Sequence, residues 1–153
     1  MTGVVFLDAG PLGLVTNPRR SPESAACAAW LQSLVTAGVR IVIPEIADYE
    51  VRRELLRANK TAGVARLDAL IAGLEYLPIT TATMRQAAAF WATARQQGQP
   101  TAGDKTIDGD MILAAQAVTL GAANFVIATT NVDHLSRFVA ANLWHTITVD
   151  AAS

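Results

Sequence analysis

The sequence predicts an α/β fold, with helices packed on both faces of a mainly parallel central sheet. Three observations carry this prediction. Short runs rich in β-branched residues alternate along the chain with longer stretches of helical composition. Several of these runs are apolar throughout, as buried strands of a parallel sheet are. No repeat, low-complexity tract or long linker divides the 153 residues, so we expect one domain spanning residues 1–153.

The first half of the chain has clearly marked element boundaries. The apolar run Val4–Leu7 ends at Asp8 and is typical of a buried strand. Ser21 suits a helix N-cap and Pro22 suits the first helical position, while Gly38 is expected to stop that helix. The elements predicted for this half are strands at 4–7, 39–43 and about 76–79, and helices at about 22–37, 44–60 and 62–74.

The second half continues the alternation. Thr80 or Thr81 should cap a helix that ends at Gly98, and a polar loop is expected over 99–106. Gly121 should close the helix that follows this loop. The remaining predicted elements are that helix at 107–120, a strand at 125–129, a short helix at 132–139 and a last strand at 146–149.

Composition narrows the classes of function. Twelve Lys and Arg against 13 Asp and Glu leave a net charge of −1, so binding to nucleic acid would need local basic patches. No apolar stretch approaches the roughly 18 residues that a membrane span needs, and residues 1–7 lack the basic start of a signal peptide. A single cysteine, Cys27, excludes an internal disulfide. We therefore expect a cytoplasmic protein that makes no membrane contact.

Three acidic residues stand where such a fold would place a site, beyond strand ends and beside buried helices. Asp8 directly follows the first predicted strand, although a turn or N-cap aspartate would look the same. Glu50 lies beside the apolar stripe of its helix, or pairs with nearby arginines at the surface. Asp110 opens an almost wholly apolar helix, where a carboxylate must be paired or bound to metal; otherwise it serves with Asp108 as an ordinary acid of the first helical turn.

A fourth polar group follows the strand predicted at 125–129. Thr130, Asn131 and Asp133 could each ligate a metal or orient a metal-bound water, and Asn131 could equally cap the next helix. The sequence has no zinc-type Cys/His spacing, no glycine-rich phosphate loop and no nucleophile elbow. What remains is a set of carboxylates, which suit a hard cation such as Mg²⁺ and hence the cleavage of phosphodiesters.

The order of these motifs resembles that of the PIN-domain ribonuclease family, and within it the VapC-like toxins of toxin–antitoxin pairs. The shared pattern is an Asp after the first strand, a Glu-x-Arg-Arg helix, an acid opening an Ile-Leu-Ala-Ala type helix, and Thr-x-Asn after a later strand. It covers about residues 7–138. The catalytic positions implied by the resemblance are Asp8, Glu50, Asp110, Asn131 and Asp133, the first three as metal ligands.

The resemblance also implies a three-layer α/β/α PIN-like fold, RNA cleavage assisted by Mg²⁺ or Mn²⁺, a cognate antitoxin as partner, and a homodimer. Basic residues on the helix of Glu50 then become candidates for contacting RNA phosphates, contacts that position a strand without reading its sequence. A solvated helix face would show the same residues. The candidates are Arg52, Arg53, Arg57 and Lys60.

Two other interpretations compete with a ribonuclease. An inactive relative that only binds RNA or a protein is favoured by Ala9, where the family often has a hydroxyl residue, and by the non-acidic Asn131. A receiver-like phosphoacceptor domain would need paired acids early and a lysine late in the chain. Asp8 stands alone, however, and the last lysine is Lys105, which precedes the Asp110 helix. Retained Mn²⁺ affinity would separate an active site from a decayed one.

Overall fold

A computed structural model of the chain describes residues 3–19, 21–97 and 104–149, with side chains in the last range from residue 108 onward. Its strands all run parallel within one sheet, in the order β3-β2-β1-β4-β5. The strands are β1 (Val4–Leu7), β2 (Arg40–Pro44), β3 (Glu75–Leu77), β4 (Phe125–Thr129) and β5 (Ala141–Leu143). The predicted α/β class with a parallel central sheet is therefore confirmed.

Helices fill the connections between these strands. Within the described residues they are α1 (Ala9–Thr16), α2 (Pro22–Thr36), α3 (Glu45–Arg57), α4 (Thr61–Gly73), α5 (Thr81–Gln96) and α6 (Asp104–Thr119). Single turns of 3-10 helix follow at Leu135–Arg137 and Trp144–Thr146. None of these described helices combines the length and the apolar character needed to cross a bilayer.

The central strand β1 explains how two layers of helices are held against the sheet. Its four side chains are buried and alternate between the two faces. Val5 and Leu7 join the core built with α1 to α4, whereas Val4 and Phe6 join the core built with α6, on which α5 packs. Fully burying side chains of this size contributes roughly 1.5–3 kcal/mol each. Helices therefore cover both faces of the sheet, which is the expected three-layer arrangement.

The strand order places a topological switch between β1 and β4. The chain builds β2 and β3 on one side of β1 and then crosses over to build β4 and β5 on the other. Leu7 is in register with Ala128, and the Asp8 N–H donates to the Ala128 carbonyl at 3.0 Å. Asp8 and Thr129 therefore lie side by side at the carboxyl ends of β1 and β4. Ligand sites of open α/β sheets form at this kind of crevice.

Many predicted boundaries agree with the structure, because local backbone chemistry sets them. Both β1 and β4 have the predicted bounds. Ser21 caps α2, and Thr80 rather than Thr81 caps α5, each through a side-chain oxygen that accepts a first-turn N–H. Gly38 and Gly121 follow α2 and α6 with φ of 79° and 80°, a conformation that glycine adopts without strain. The predicted helix end at Gly98 lies outside the described residues.

Two helices between β1 and β3 differ from the prediction. Helix α1 has no counterpart in the prediction, and it contains Gly10, Pro11 and Gly13, residues that are unfavourable in helix interiors. Pro11 is tolerated because it is the third residue of α1, where a backbone N–H has no partner within the helix. Helix α3 ends at Arg57 rather than near residue 60, since Asn59 adopts a left-handed φ of 55°.

The prediction that α6 begins at Ile107 is wrong. The helix begins at Asp104, inside the segment expected to be a polar loop, so Asp110 is not in its first turn and Asp108 is not its N-cap. Sequence periodicity locates a helix well but leaves its ends uncertain. The rest of the predicted loop, 99–103, lies outside the described residues.

The last strand was predicted at the wrong place. The sheet ends with β5, which pairs with β4 through the register Ile127↔Ala141. The β-branched segment at 146–149 instead crosses α2, where Ile147 is buried and its carbonyl accepts a hydrogen bond from Trp30 Nε1 at 2.8 Å. The expected helix at 132–139 is reduced to the single turn Leu135–Arg137. Tertiary contacts therefore override local β-propensity in this region.

A fully buried glutamine joins three elements on the α6 side of the sheet. The Gln116 Oε1 atom accepts the Ile46 N–H at 3.0 Å, and its Nε2 donates to the Leu77 carbonyl at 2.8 Å. Gln116 thereby satisfies one backbone group at the start of α3 and another at the end of β3. A buried side-chain amide with both ends bonded fixes the position of α6 against the sheet.

Replacing Gln116 by leucine should destabilise the protein by about 2–4 kcal/mol, because one buried and one partly buried backbone group lose their partners at about 1–3 kcal/mol each. Chemical denaturation of Gln116→Leu against the parent chain measures this. Gln32→Leu is the matched control, since Gln32 is exposed on α2 and bonds only the neighbouring Thr36 side chain in the described structure. Equal stability of the two variants would contradict a structural role for the Gln116 bonds.

Candidate active site

Asp8 occupies the crevice at the carboxyl end of β1. As the N-cap of α1 it accepts the Ala9 N–H at 2.7 Å through Oδ1. Its other oxygen, Oδ2, accepts the Thr129 hydroxyl at 2.7 Å. Burial raises the pKa of Asp8, and these two hydrogen bonds offset part of that rise because they favour the ionised form. Asp8 is thus both a helix cap and a carboxylate held in a fixed orientation.

Thr129 is a site residue to which the sequence analysis assigned no role, although it is the threonine of the Thr-x-Asn motif. It is the last residue of β4, it is 1% exposed, and its hydroxyl oxygen also accepts the Asn131 N–H at 3.1 Å. It provides the hydroxyl beside Asp8 that Ala9 cannot. Besides that motif, the available signal was a hydroxyl residue closing an otherwise apolar strand. Its hydrogen bond to Asp8 depends on β1 and β4 being neighbours in the sheet, which no local sequence pattern predicts.

Glu50 lies in the second turn of α3, where α3 and α6 meet. Its carboxylate is partly buried, and Arg53 is its described ion-pair partner at 4.0 Å. A side chain on Gly109 would place its Cβ 3.2 Å from Glu50 Oε2, so the absence of a side chain lets α6 approach the carboxylate. Burial is the main cause that raises the pKa of Glu50. The charge of Asp8 raises it further, and Arg53 lowers it.

Asp110 follows Gly109 on α6. Burial, then the charges of Asp8 and Glu50, raise the pKa of Asp110 to about 7. Because α6 begins six residues earlier, at Asp104, the free N–H groups of the helix start do not offset this charge as the sequence suggested. The correction strengthens the case that the Asp110 carboxylate needs a counter-charge from elsewhere.

The three acids form one electrostatic group, since the pKa of Asp110 is raised by Asp8 and Glu50 and that of Glu50 by Asp8. Their oxygen-only chemistry fits a hard divalent cation, which would relieve the mutual repulsion. In the described part of the chain, no three acidic, histidine or cysteine side chains stand at the distances of a preformed metal cage.

The polar residues after β4 line the edge of the same crevice. Thr130 packs against Gly10, where a Cβ would come within 2.7 Å of the Thr130 Cγ2. Asn131 is exposed, and its Oδ1 accepts the Asp133 N–H at 3.0 Å in a short turn. Thr129 links Asn131 to Asp8 through hydrogen bonds. Asp133, two residues after Asn131, is exposed. Its charge is not among the causes that raise the pKa of Asp8, Glu50 or Asp110.

The four candidate RNA-contacting residues differ in their surroundings. Arg52 pairs with Asp48 at 3.0 Å and with Asp68 at 2.7 Å, so it holds α3 against α4. Arg53 lies over the Tyr49 ring, in addition to its pair with Glu50. Arg57 ends α3 and pairs with Glu54 at 2.8 Å, whereas Lys60 lies beyond that helix, just before α4, and is exposed.

The profile of the PIN domain family matches residues 5–139, most of the chain and all of the elements just described up to the turn after β4. The chain belongs to the PIN domain family. No curated protein sequence matches it significantly. The family assignment agrees with the resemblance drawn from the motif order.

Solved structures share this PIN fold at low sequence identity. VapBC2 from Rickettsia felis, bound to a DNA fragment from its promoter, has a TM-score of 0.67 at 15% identity, covering 92% of this chain and 98% of that one. FitAcB from Neisseria gonorrhoeae has a TM-score of 0.67 at 18% identity, and covers 94% and 99%. VapBC-1 from nontypeable Haemophilus influenzae has a TM-score of 0.64 at 17% identity, with the same coverage. At such identities these likenesses show the fold.

The metal-free PIN domain should become less stable as pH rises from about 4 to 7. The pKa of Asp110 is about 7 when folded against 3.8 for the free side chain, so in this window the folded state keeps a proton that the unfolded state has lost. Asp110→Asn cannot ionise and should therefore be the more stable chain at pH 8, by at least about 1 kcal/mol, which is about 2–4 °C in Tm.

Thermal melting at pH 4 and pH 8 in the presence of a chelator measures the effect. Asp133→Asn is the matched control, because Asp133 is exposed and its removal relieves no buried charge. A difference between Asp110→Asn and the parent that stays the same at both pH values would contradict the raised pKa of Asp110.

Proposed function

We propose that this PIN domain is a metal-dependent endoribonuclease and the toxin of a toxin–antitoxin pair. The observation that carries the proposal is the group of Asp8, Glu50 and Asp110 at the topological switch of the sheet, where burial raises the pKa of all three carboxylates and the charge of Asp8 raises the pKa of the other two further. Such a group is unfavourable unless a cation compensates it. Sites with strongly perturbed carboxylates in a crevice are frequent positions of catalysis.

Each residue of the site has a defined part in the proposed reaction. Asp8, Glu50 and Asp110 would hold Mg²⁺ or Mn²⁺, which when bound supplies an activated water and stabilises the leaving oxygen of the phosphodiester. Thr129 orients Asp8 through its hydroxyl. Asn131 is our choice for orienting the attacking water, because it is tied to Thr129, and Asp133 is the alternative.

RNA would approach along α3 in this proposal. Arg57 and Lys60 are the better phosphate contacts, because both are exposed and Lys60 makes none of the ion pairs seen among the described residues. Arg53 stands beside Glu50 and would favour the ionised form of that carboxyl by lowering its pKa. Arg52 is the weakest of the four candidates, since Asp48 and Asp68 already engage it. Together these cations would provide the local patch that a net charge of −1 requires.

The toxin assignment is supported by the similar solved structures, which are VapBC and FitAcB assemblies from several bacteria. By that likeness we propose a cognate antitoxin as the protein partner, a homodimer as the assembled form, and the cytoplasm as the location. An inactive, binding-only PIN domain is the second candidate. Ala9 and Asn131 favour it, whereas the Thr129 hydroxyl that donates to Asp8 supports the active candidate.

Purified protein should cut cellular RNA in the presence of Mn²⁺ or Mg²⁺, and Asp110→Asn should lose at least about 100-fold of that activity because one of three metal ligands is gone. Gel analysis of RNA fragments measures this, with Glu23→Gln as a control for a charge removed from the exposed face of α2. Fragments formed equally by Asp110→Asn would point to a contaminating nuclease. A folded, antitoxin-free protein that cuts nothing would favour the binding-only candidate.

Thr129→Val should weaken Mn²⁺ binding by about tenfold or more, because outer hydrogen bonds to a ligand typically matter by 10–100-fold. The valine keeps the shape of threonine but leaves Asp8 Oδ2 without its donor. Thr129→Ser retains the hydroxyl and is the matched control. Calorimetric titration with Mn²⁺ compares the three proteins, and equal affinities for the valine and serine variants would show that the hydroxyl does not support the site.

A further inference from the structure

Tyr49 places an exposed aromatic ring beside the candidate active site. It lies on α3 directly before Glu50, it is 56% exposed, and it belongs to none of the hydrophobic cores formed by the described residues. The other tyrosine of the chain, Tyr76, is partly buried, and its hydroxyl donates to Asp48 at 2.9 Å. Tyr76 therefore has a structural role, whereas the fold does not depend on the ring of Tyr49.

Arg53 connects this ring to the acidic group. It follows Tyr49 by four positions, so the two side chains are neighbours on the surface of α3. Its guanidinium carbon lies 5.1 Å from the centre of the Tyr49 ring, a distance typical of cation–π contacts. One nitrogen of the same guanidinium is 4.0 Å from Glu50 Oε2. Arg53 thus lies between the aromatic ring and a carboxylate of the candidate site.

Tyr49 and Arg53 offer two flat groups that are already held together. The side chain of Arg53 is 52% exposed, so both members of the pair can be reached from solvent. Their contact limits the conformations of both side chains before any ligand arrives, which lowers the entropy cost of binding. Aromatic rings and guanidinium planes are the groups on which proteins stack the unpaired bases of RNA.

The position of Tyr49 around α3 suits a base rather than a phosphate. Arg57 follows Glu50 by seven residues, or about two helical turns, so the two project from the same side of the helix. Tyr49 is one residue from Glu50 and is therefore turned by about 100° around the helix axis. A strand whose phosphates run past Glu50 and Arg57 could turn one base outward over the ring of Tyr49.

We propose that Tyr49, supported by Arg53, is a stacking site for the base of one unpaired RNA residue next to the cleaved bond. This inference rests on the proposed ribonuclease function and adds how the substrate strand is held. The residue must be unpaired, because a base within a stem is stacked on its neighbours and cannot turn onto a protein side chain. Stacking accepts any base, since every base has a π-face.

Three variants of α3 test the stacking site. Tyr49→Ala removes the ring, and Tyr49→Phe keeps the ring without its hydroxyl. Both should fold, because Tyr49 is exposed and lies outside the cores. Leu56→Ala is the matched control, since Leu56 is an exposed apolar residue two turns after Tyr49 on the same side of α3. It removes apolar surface from that side of the helix without removing an aromatic ring.

Binding is measured in the Asp110→Asn background with a fluorescent oligouridylate, and with the same ribose–phosphate backbone lacking its bases. Tyr49→Ala should bind the oligouridylate about tenfold more weakly, as expected for the loss of one stacked base. Tyr49→Phe and Leu56→Ala should match the parent. The base-free backbone should bind equally to the parent and all three variants, because it has nothing to stack on the ring.

Two further measurements separate stacking from charge and from metal binding. The slope of log K against log salt should be the same for Tyr49→Ala and the parent, because no phosphate contact is lost. In the active background, cleavage by Tyr49→Ala should show a KM raised by about tenfold with kcat little changed, since the ring contributes to binding of the strand. Mn²⁺ affinity should stay within about twofold of the parent, because Tyr49 supplies no ligand to the metal.

The outcomes decide the stacking site separately from the proposed function. Equal binding of the oligouridylate by Tyr49→Ala and the parent, with metal-dependent cleavage intact, would overturn the stacking site and leave the ribonuclease standing. A parent chain that binds the oligouridylate more tightly than Tyr49→Ala does but cuts no RNA would support the stacking site and reject the nuclease. A parent chain that neither binds nor cuts RNA would overturn both.

A second copy of the chain is the competing occupant of this side of α3, and sedimentation of the same variants tests it. Stacking predicts that Tyr49→Ala and Leu56→Ala both keep the oligomeric state of the parent. If both variants dissociate the protein and both weaken RNA binding, this surface is a contact between two copies, and the stacking site is overturned.

Discussion

Repulsion among three carboxylates in a space that water only partly reaches is the constraint on which this fold is organised. Asp8 comes from the end of β1, Glu50 from α3 and Asp110 from α6, and each pKa is raised by burial. Holding them together lowers the stability of the metal-free chain at neutral pH. The elements that keep these carboxylates in place must therefore gain their stability from contacts outside the group, as is usual for sites that lower the stability of a fold.

Much of that stabilisation comes from buried contacts behind the site. Gln116 fixes α6 against the start of α3, and it lies on the same helix as Gly109 and Asp110. The close approach of Gly109 to the Glu50 carboxylate depends on this placement of α6. On the other side, the apolar residues of β1 pack into both cores and hold the end of the strand still. The hydrogen bonds of Gln116 and the apolar packing of β1 thus hold in place carboxylates that repel one another.

The fold could be predicted largely because its strongest signals are local. Apolar runs mark β1 and β4, and caps such as Ser21 and Gly121 mark helix ends through backbone chemistry that acts within a few residues. Signals failed where distant contacts decided the outcome. The segment around Ile147 has the β-branched composition of a strand but bonds to Trp30 on α2, and the short edge strand β5 has little strand character of its own.

By itself, the sequence determined the α/β class, the family pattern and the identity of the acids, because residue types, order and periodicity are enough to specify these. Only the tertiary structure decided which groups act on each other. The Thr129 hydroxyl reaches Asp8 because β1 and β4 are neighbours across 121 positions of chain. Asp110 does not lie at the start of α6, because that helix begins at Asp104. Arg52 forms ion pairs with Asp48 and Asp68. Pairings of this kind arise from strand order and helix register, which residue types along a chain leave open.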